Sequence, residues 1–464
     1  MSRRAAWLLA ALALAGCRRD AAPAGRPPNL VLVTVDTLRA DHLGIAGYAR
    51  DTTPNLDALA REGLAFSRCY SVSATTGAAH ASLFTSLYPH EHGVLANRQQ
   101  FPRGLPSLMS VLQARGYHTA GFVSSVVVGR KSGLQHAFEH FDDHLGAPER
   151  NRRDRPERKA QETLGAAAAH LSGLPRERPF FLWVHLIDPH GPYDAPEGPD
   201  RFVGDAHSGP APLLLPIGAT DWVLGQIPAY QVLDGRRDAA FYVARYDAEI
   251  RYADDALGRF LARLREQGLY DESVVVVTAD HGETLAEPGH KRYFAHGTIA
   301  YEEVVRIPLV VREARGGRRL RLAARDGPAT SLDVAPTVLD LLGHPPEASF
   351  RGRSLLRGAR GEEEPVFSLG AYGSELLERT IGTQWSVRRG PWRYVLNSRD
   401  GSEELYDHRH DPREARSVVD RQPSERDRLR ADMKRLLAED TRRAAPIETT
   451  PEHERALRAL GYVQ

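Results

Sequence analysis

Three separated stretches of this chain are mostly apolar along their whole length, and each ends on an aspartate. They are residues 29–36 (NLVLVTVD), 178–188 (RPFFLWVHLID) and 273–280 (SVVVVTAD). Near-continuous apolar runs, unlike alternating ones, are typical of strands buried on both faces of a parallel sheet. A helical pattern of apolar residues over 246–264 precedes the third run. Strands that alternate with helices predict an α/β protein with a doubly wound parallel sheet.

The acidic residues that end these runs indicate a ligand site. Sheets of this kind bind ligands at the carboxyl ends of their strands, where Asp36, Asp188 and Asp280 are expected. His281 follows Asp280 in the segment DHGE, so a carboxylate and an imidazole can turn toward one ion. Two carboxylates and one imidazole suit Ca²⁺, Mg²⁺, Mn²⁺ or Zn²⁺. We therefore predict a metal site at Asp36, Asp280 and His281, although each residue alone is more often a cap or an ion-pair partner.

A threonine in a segment of small residues is the candidate nucleophile. Residues 74–79 are small and lead into an apolar helical stretch at 81–87. A hydroxyl at the N-terminus of such a helix can meet an anion together with backbone N–H groups. Contact with the metal would lower the pKa of the Thr76 hydroxyl and make it a nucleophile. A threonine that only caps the helix fits the pattern equally well, and Thr75 is the neighbouring alternative nucleophile.

Two glycine-containing loops carry candidates for substrate binding. Asp188 and His190 leave the second apolar run together in the segment DPHG. His290, Lys291 and His296 occur in the segment GHKRYFAHG. Imidazoles and an amine can bind the oxygens of an anion and protonate a leaving group. Several histidines in polar loops after strands favour this function over the more usual buried structural histidine.

The N-terminal segment resembles a bacterial lipoprotein signal. Residues 1–16 contain two arginines and an apolar run, and LAG precedes Cys17. The run is too short to span a bilayer and fits a secretory signal. We expect a signal peptide at 1–16, a lipid anchor on Cys17, a tether at 17–28 and a location in the bacterial cell envelope, periplasmic or at the outer membrane. Cys69 is then expected to be unpaired and buried.

The rest of the chain is predicted to form a catalytic domain at 29–375 and a small C-terminal subdomain with a tail at 376–464. Within the latter, residues 385–397 alternate like an antiparallel hairpin, 404–414 indicate a turn and 425–439 indicate a charged amphipathic helix. A four-stranded sheet plus this helix would give an α+β subdomain.

Charge excludes one class of partner and leaves two segments to be interpreted. Lys plus Arg number 61 against 60 for Asp plus Glu, a net charge of +1 without a basic stripe, so no nucleic-acid partner is expected. The charged run 148–159 predicts a solvated start of a helix. Residues 200–237, rich in Pro and Gly, are compatible with a lid over a site or with a plain surface excursion.

Eight ordered motifs are similar to those of the sulfatase family of the alkaline phosphatase superfamily. They are TVDTLRADHLG, TTPNLDALAREG, HASLFTSLYPHEHG, FLWVHLIDPHGPY, YDAEIRYADDALG, TADHGETL, HGTIAYEEVVRIPLVV and ELYDHRHDPRE. The resemblance runs from about residue 29 to the C-terminus. It implies an alkaline-phosphatase-like three-layer α/β/α sandwich with a central mixed sheet, and a nucleophile that attacks sulfur or phosphorus. Asp36, Asp280 and His281 match the family's metal ligands. His190 matches the histidine that contacts the transferred group, and His296 lies where the family has a basic residue.

The departures from the family pattern concern the nucleophile and one metal ligand. Thr76 stands where typical sulfatases carry the Cys or Ser that becomes formylglycine, and the Pro and Arg of that motif are replaced by Ala78 and His80. Formylglycine chemistry is therefore not expected. Thr37 replaces the second aspartate of a ligand pair. Threonine is the nucleophile in the superfamily's phosphodiesterases, phosphonate hydrolases and phosphoethanolamine transferases, and the resemblance extends to a metal site that includes Thr76.

These observations predict a metal-dependent hydrolase of sulfate or phosphate esters. Ca²⁺, Mn²⁺ or Zn²⁺ is the expected cofactor, with one site at Asp36, Thr76, Asp280 and His281. A second site at Asp188, His190 and His296 is left open. Thr76 is expected to attack, with His190 and His296 binding oxygens and protonating the leaving group, while His80, Lys291, His290 and Asp188 bind the substrate. The substrate would be a small-molecule, glycan or lipid ester. The alternatives are a transferase that moves a phospho group onto an envelope acceptor, and an inactive pseudoenzyme that binds anionic glycans or lipids.

Overall fold

The structure is a computed structural model that describes residues 26–97, 99–146, 148, 150–151, 156–204, 213–219, 224–290, 292–320, 327–371 and 382–438. The predicted signal peptide, Cys17, most of the tether, Lys291 and the C-terminal tail lie outside the described residues. The predictions made for them stay predictions. Within the described part, no helix combines the length and apolar character needed to cross a membrane.

An eight-stranded sheet forms the centre of the molecule. Its strands are β1 (Asn29–Val35), β2 (Leu64–Tyr70), β3 (His118–Val123), β4 (His140–Asp142), β5 (Phe180–Leu186), β6 (Ser273–Ala279), β7 (Arg306–Arg312) and β8 (Ala329–Thr330). Across the sheet they follow the order β4-β3-β5-β1-β6-β7-β2-β8. Cys69 on β2 is fully buried and is a free thiol within the described residues, which confirms the prediction that it is buried.

The three apolar runs form neighbouring strands in the middle of this sheet. β1, β5 and β6 are buried at every residue, and β1 pairs in parallel with the other two. Both faces of these strands are covered, which is why their sequences do not alternate. The wholly parallel sheet predicted from the runs is wrong at β7, which pairs antiparallel with β6 and β2. The sheet is therefore mixed, as the family resemblance implies.

Helices pack in two groups, as expected for an α/β/α sandwich. The helices of the main domain are α1 (Pro54–Glu62), α2 (Thr76–Thr85), α3 (Pro89–His92), α4 (Leu108–Gln113), α5 (Ala160–Ser172), α6 (Ala239–Glu266), α7 (Glu302–Val305) and α8 (Val334–Leu341). In one group α6 contacts α1 and α5, and in the other α2 contacts α4 and α8. The apolar stripe predicted over 246–264 is buried on α6, which begins earlier because Asp238 caps it by accepting from the Ala240 N–H.

A second, four-stranded antiparallel sheet follows. Its strands are β9 (Val366–Gly370), β10 (Gln384–Arg389), β11 (Trp392–Asn397) and β12 (Glu403–Asp407), and α9 (Pro423–Leu437) packs on it. The predicted hairpin is confirmed as β10–β11. The sheet begins with β9, before the predicted boundary at 376. The prediction of a turn over 404–414 is wrong at its start, because Glu404–Asp407 complete β12 by pairing with β11.

The charged run 148–159 differs from its prediction at its end. Arg158 is only 5% exposed. Its guanidinium donates to the Val123 carbonyl and the Asp142 carboxylate, and to the Thr163 hydroxyl at the start of α5. A partly solvated run thus ends in an arginine that ties α5 to the sheet. The segment 200–237 is described only in part, and its predicted lid role stays a prediction.

Candidate active site and metal centre

Three side chains meet just beyond the carboxyl ends of β1 and β6. Asp36 follows β1, and Asp280 and His281 follow β6, its parallel neighbour. His281 Nε2 lies 3.7 Å from Asp36 Oδ1 and 3.5 Å from Asp280 Oδ2. One ligand atom from each of the three residues falls within 4.8 Å of the others. Adjacent parallel strands thus bring together residues that are far apart in the chain.

The atoms of these three side chains that face one another are suitable ligands for a cation. Asp36 Oδ1 and Asp280 Oδ2 are buried and make no hydrogen bond, whereas Asp280 Oδ1 accepts from the His281 backbone N–H at 2.8 Å. His281 Nδ1 donates to the Gly282 carbonyl at 2.9 Å, so its Nε2 presents a lone pair to the carboxylates. Buried carboxylate oxygens without donors are costly unless a cation satisfies them. The residues present therefore fit a divalent metal ion.

The electrostatic environment of Asp36, Asp280 and His281, called the metal corner below, favours positive charge. Burial raises the pKa of Asp36 above its usual value, although His281 and His296 oppose the rise. Burial alone would lower the pKa of His281, but Asp280 and Asp36 raise it above its usual value. The two shifts have different causes, because burial disfavours the Asp36 carboxylate while the charges of Asp280 and Asp36 favour a protonated His281. A divalent cation would offset the negative charge of the buried carboxylates more completely than a proton.

Thr76 presents its hydroxyl to this corner from the first residue of α2. Its Oγ1 lies 3.3 Å from His281 Nε2, and the residue is 2% exposed. Thr75 precedes the helix with extended backbone, and its hydroxyl turns away to donate to the Ala371 carbonyl at 2.6 Å. The hydroxyl of Thr76, and not that of Thr75, is therefore the one beside the metal ligands.

The small sheet holds the segment that carries Thr76. Ala74 N–H donates to the Leu369 carbonyl at 2.9 Å, and Leu369 N–H donates to the Val72 carbonyl at 3.0 Å. Leu369 lies on β9, so the loop before Thr76 runs beside a strand of the second sheet. Together with the Thr75 bond to Ala371, these contacts fix the entry into α2. The C-terminal region thus takes part in building the site.

His80 supports the nucleophile segment, a correction to its predicted substrate contact. Its Nδ1 donates to the Thr76 carbonyl at 2.8 Å, so its Nε2 accepts from the Thr34 hydroxyl at 2.9 Å. The Thr34 hydroxyl oxygen also accepts from the Trp183 indole at 3.0 Å. Burial lowers the pKa of His80 to about 4, which matches a neutral ring with both nitrogens engaged. His80 therefore braces the first turn of α2 against β1.

His190 and His296 lie together beside the metal corner. The His296 ring stacks on His281 with centroids 4.7 Å apart and meets the His190 ring edge-on at 5.1 Å. His296 Nδ1 contacts Glu283 Oε1 at 3.1 Å, and His190 Nδ1 donates to the Gly191 carbonyl at 2.8 Å. Each ring is thus oriented through Nδ1. The structure brings both predicted histidines together, with His296 directly beside His281.

Asp188 turns away from this group, a correction to its predicted substrate role. Its Oδ2 accepts from the Ala160 N–H at 2.9 Å, at the first residue of α5, and its Oδ1 lies 3.4 Å from Lys159 Nζ. A carboxylate at a helix N-terminus satisfies an otherwise unpaired donor. The second metal set of Asp188, His190 and His296 does not converge, because the two histidines meet while the carboxylate serves α5.

Replacing Glu249 by glutamine should reduce the loss of stability at alkaline pH. Glu249 is fully buried on α6; burial raises its pKa to about 8, a shift that Lys159 opposes and Asp188 increases. The contribution of Glu249 to the stability of the fold is complete at pH values below its ordinary pKa of 4.5. It is lost as pH rises through the pKa of the folded protein. Between pH 6 and 9 the free energy of unfolding in urea should fall by about 1–3 kcal/mol less in Glu249→Gln. Glu266→Gln, exposed at the end of the same helix, is the control and should follow the parent protein. If the free energy of unfolding fell equally with pH in Glu249→Gln and the parent, the raised pKa assigned to Glu249 would be wrong.

His290 belongs to the junction with the small sheet, a further correction. Its Nδ1 contacts Glu303 Oε1 at 2.7 Å, and its Nε2 contacts the Glu414 carbonyl at 3.0 Å. Although burial opposes it, the hydrogen bond with Glu303 raises the pKa of His290 to about 9. Both ring nitrogens are taken, which leaves none for a substrate. Lys291 lies outside the described residues, and its predicted role stays a prediction.

Several residues of the site were not assigned roles from the sequence. Thr37 is fully buried at φ +54°, an unfavourable backbone for a β-branched residue. It is held there because its carbonyl accepts from the Tyr246 hydroxyl at 2.7 Å. Glu283 ends the segment DHGE, and His185 interrupts an apolar strand. A polar residue inside a buried run was the available signal for His185; Tyr246 gave none.

Comparison with known protein families gives one match that covers most of the chain. The family model described as Sulfatase matches residues 28–344. The multifunctional alkaline phosphatase superfamily protein PehA of Trinickia caryophylli is 28% identical over 399 residues, which is 71% of this chain and 76% of that protein. An N-acetylglucosamine-6-O-sulfatase of Bacteroides thetaiotaomicron is 24% identical, over 88% of this chain and 86% of that protein.

Solved structures share the fold. A protein solved in complex with its substrate D-glucosamine-2-N,6-O-disulfate has a TM-score of 0.69 at 19% identity, covering 89% of this chain and 97% of that one. The phosphonate monoester hydrolase of Agrobacterium radiobacter also has a TM-score of 0.69, at 21% identity, covering 89% of this chain and 95% of that one. At these identities the likeness establishes the α/β architecture with its small C-terminal sheet.

Proposed function

The chain belongs to the sulfatase family, and from that premise we propose that it hydrolyses sulfate or phosphate esters with Thr76 as nucleophile and a divalent metal ion as cofactor. The observation that carries the proposal is the convergence of four groups. The Thr76 hydroxyl lies 3.3 Å from the lone pair of His281, which itself faces two buried carboxylate oxygens without donors. An N-capping threonine would instead turn its oxygen to the first N–H groups of its helix.

The reaction proceeds by two displacements at sulfur or phosphorus. In the first, Thr76 Oγ1 loses its proton to solvent and bonds to the central atom, while the bond from that atom to the ester oxygen breaks. In the second, a water molecule attacks the same atom and releases a proton, the bond to Oγ1 breaks and Thr76 Oγ1 takes up a proton. A cation held by Asp36, Asp280 and His281 would lower the pKa of the hydroxyl and offset negative charge on the transferred group.

His190 and His296 serve the other side of the transferred group. Their rings are 5.1 Å apart, and that of His296 stacks on the metal ligand His281. From there they can bind non-bridging oxygens, and one of them can protonate the departing oxygen as its bond breaks. Glu283, fully buried, contacts His296 Nδ1 and so orients the ring of His296.

The substrate class follows from the nucleophile and from the relatives. Neighbours in fold include a protein bound to a disulfated glucosamine and a phosphonate monoester hydrolase. The family resemblance of the sequence implies that an unmodified threonine is the nucleophile of the phosphorus-directed branch of the superfamily. We therefore rank phosphate diesters and phosphonate monoesters above sulfate esters as substrates.

A panel of aryl esters tests this ranking. Purified protein should release nitrophenol from a phosphate diester or a phosphonate monoester with kcat/KM at least about tenfold above the corresponding sulfate, a difference of ~1.4 kcal/mol in barrier. Each substrate is also assayed after metal removal, where turnover should disappear and return on addition of Mn²⁺ or Zn²⁺. Preference for the sulfate would overturn the ranking. No turnover of any ester by protein that still holds its metal would favour the pseudoenzyme.

A further inference from the structure

One buried histidine beside the metal corner has no role in the steps above. His185 lies on β5 and is 0% exposed, and neither of its ring nitrogens makes a hydrogen bond. A neutral imidazole ring carries one N–H and one lone pair, so His185 can donate one hydrogen bond. A buried imidazole without hydrogen bonds destabilises the fold unless a nearby group bonds to it.

The groups around His185 are the metal ligands themselves. Its Nε2 lies 3.5 Å from Asp36 Oδ2, whereas His281 Nε2 is closest to the other oxygen, Oδ1. His80, His185 and Asp280 also have ligand atoms within 4.8 Å of one another. His185 therefore reaches this corner from β5, the strand on the other side of β1 from the strand that ends at Asp280.

A second ion held by His80, His185 and Asp280 does not fit the contacts of His80. Both nitrogens of that ring are engaged, one with the Thr76 carbonyl and one with the Thr34 hydroxyl. Binding an ion through either nitrogen would break a bond that supports the first turn of α2. Among the described carboxylates, that of Asp36 lies within 4.0 Å of His185, at 3.5 Å, and is therefore the group that His185 can orient.

We propose that His185 is a positioning residue for the metal centre, donating from Nε2 to Asp36 Oδ2 so that Oδ1 is held toward the ion. The proposal rests on the metal site of the proposed function and adds a partner behind one of its ligands. Ligating carboxylates are oriented by hydrogen bonds from such partners, and the loss of one typically weakens metal binding about 10–100-fold. Because His185 is closest to Oδ2 and His281 to Oδ1, the donor and the ion would use different oxygens of the same carboxylate.

The test separates metal affinity from fold stability in the full chain. For His185→Leu, calorimetric titration of the metal-free protein with Mn²⁺ or Zn²⁺ should give a Kd about 10–100-fold above the parent value. The Tm of the metal-free variant should be equal or higher, because an unbonded polar ring has been removed from the core. His185→Gln keeps an N–H donor and should recover part of the affinity.

His92→Leu is the matched control, since it removes another fully buried histidine. The two ring nitrogens of His92 are bonded to the Ser82 hydroxyl at 2.9 Å and the Val94 N–H at 3.1 Å. This variant should lower the Tm of the metal-free protein and leave the metal Kd unchanged. The two leucine variants are therefore expected to have opposite effects on the two readouts.

Three results would overturn the proposal, and they are distinguishable. If Asp280→Asn loses the ion but His185→Leu binds it as tightly as the parent, the positioning role is wrong while the metal site stands. If the parent protein binds no ion, or if Asp280→Asn binds the ion as tightly as the parent, the metal site and this role are both wrong. A lower Tm for His185→Leu with unchanged Kd would assign His185 to the fold alone.

Discussion

Thr76→Ala should abolish turnover, with kcat falling about 10⁴-fold or more, because the variant has no oxygen to form the covalent ester. The substitution removes a hydroxyl that is buried against His281 Nε2 and leaves the helix backbone intact. Thr76→Ser keeps the oxygen in place and should retain much of the activity. The rates of all variants are measured on the preferred aryl ester under single-turnover and steady-state conditions.

Thr75→Ala is the control for this experiment. Its hydroxyl donates to the Ala371 carbonyl, and the loss of such a neutral hydrogen bond costs about 1 kcal/mol, so activity should fall less than about tenfold. Rapid acid quenching of the parent protein should also trap the phospho or sulfo group on the peptide that contains Thr76, with no formylglycine present. Activity retained by Thr76→Ala, or a loss in Thr75→Ala as large as that in Thr76→Ala, would contradict the assignment.

Asp280→Asn should remove the metal and, with it, the activity. Asp280 contributes Oδ2, a buried oxygen without a hydrogen bond that faces His281 Nε2 at 3.5 Å. Asparagine has the same shape but no charge, so the cation loses one of two anionic ligands and kcat/KM should fall at least about 10³-fold, a loss of ~4 kcal/mol. Metal content by elemental analysis and turnover measured on the same preparation test the two effects together.

Stability gives an independent measure of the same site. An ion at a hundred times its Kd should stabilise the parent protein by about 2.7 kcal/mol, and chelation should lower Tm accordingly. The Tm of Asp280→Asn should not change when metal is added. Without metal, the variant should be at least as stable as the metal-free parent, because one of two facing carboxylates has been removed. Asp255→Asn, a surface change on α6, should keep both the metal shift and the activity. Full activity in chelated parent protein would refute metal dependence.

The metal corner and its strands could be anticipated from local sequence. A mostly apolar run without alternation is expected to be buried on both faces of a sheet, and an aspartate at its end is expected at the edge of that sheet. Asp280 and His281 are neighbours in the chain, so their proximity needed no tertiary information. The position of Thr76 at the start of a helix was likewise predictable, because small residues precede an apolar helical stretch.

The roles of the loop histidines could not be assigned in that way. His290 and His296 are six positions apart in one loop, yet His296 stacks on His281 while His290 binds Glu303 and the Glu414 carbonyl. Glu414 belongs to the region after β12, and no local pattern links it to this loop. Asp188 shows the same limit, because the group it satisfies is the N-terminus of α5, 28 residues earlier in the chain.

By itself, the sequence determined the chemical types available at the strand ends, the buried strands that carry them and the family to which the chain is similar. Tertiary structure decided which side chains share the site: Thr76 instead of Thr75, His296 instead of His290, and His185 behind Asp36. The physical reason is that periodicity and residue type report burial along a chain. The direction in which a loop side chain points depends on hydrogen-bond partners and packing supplied by distant segments.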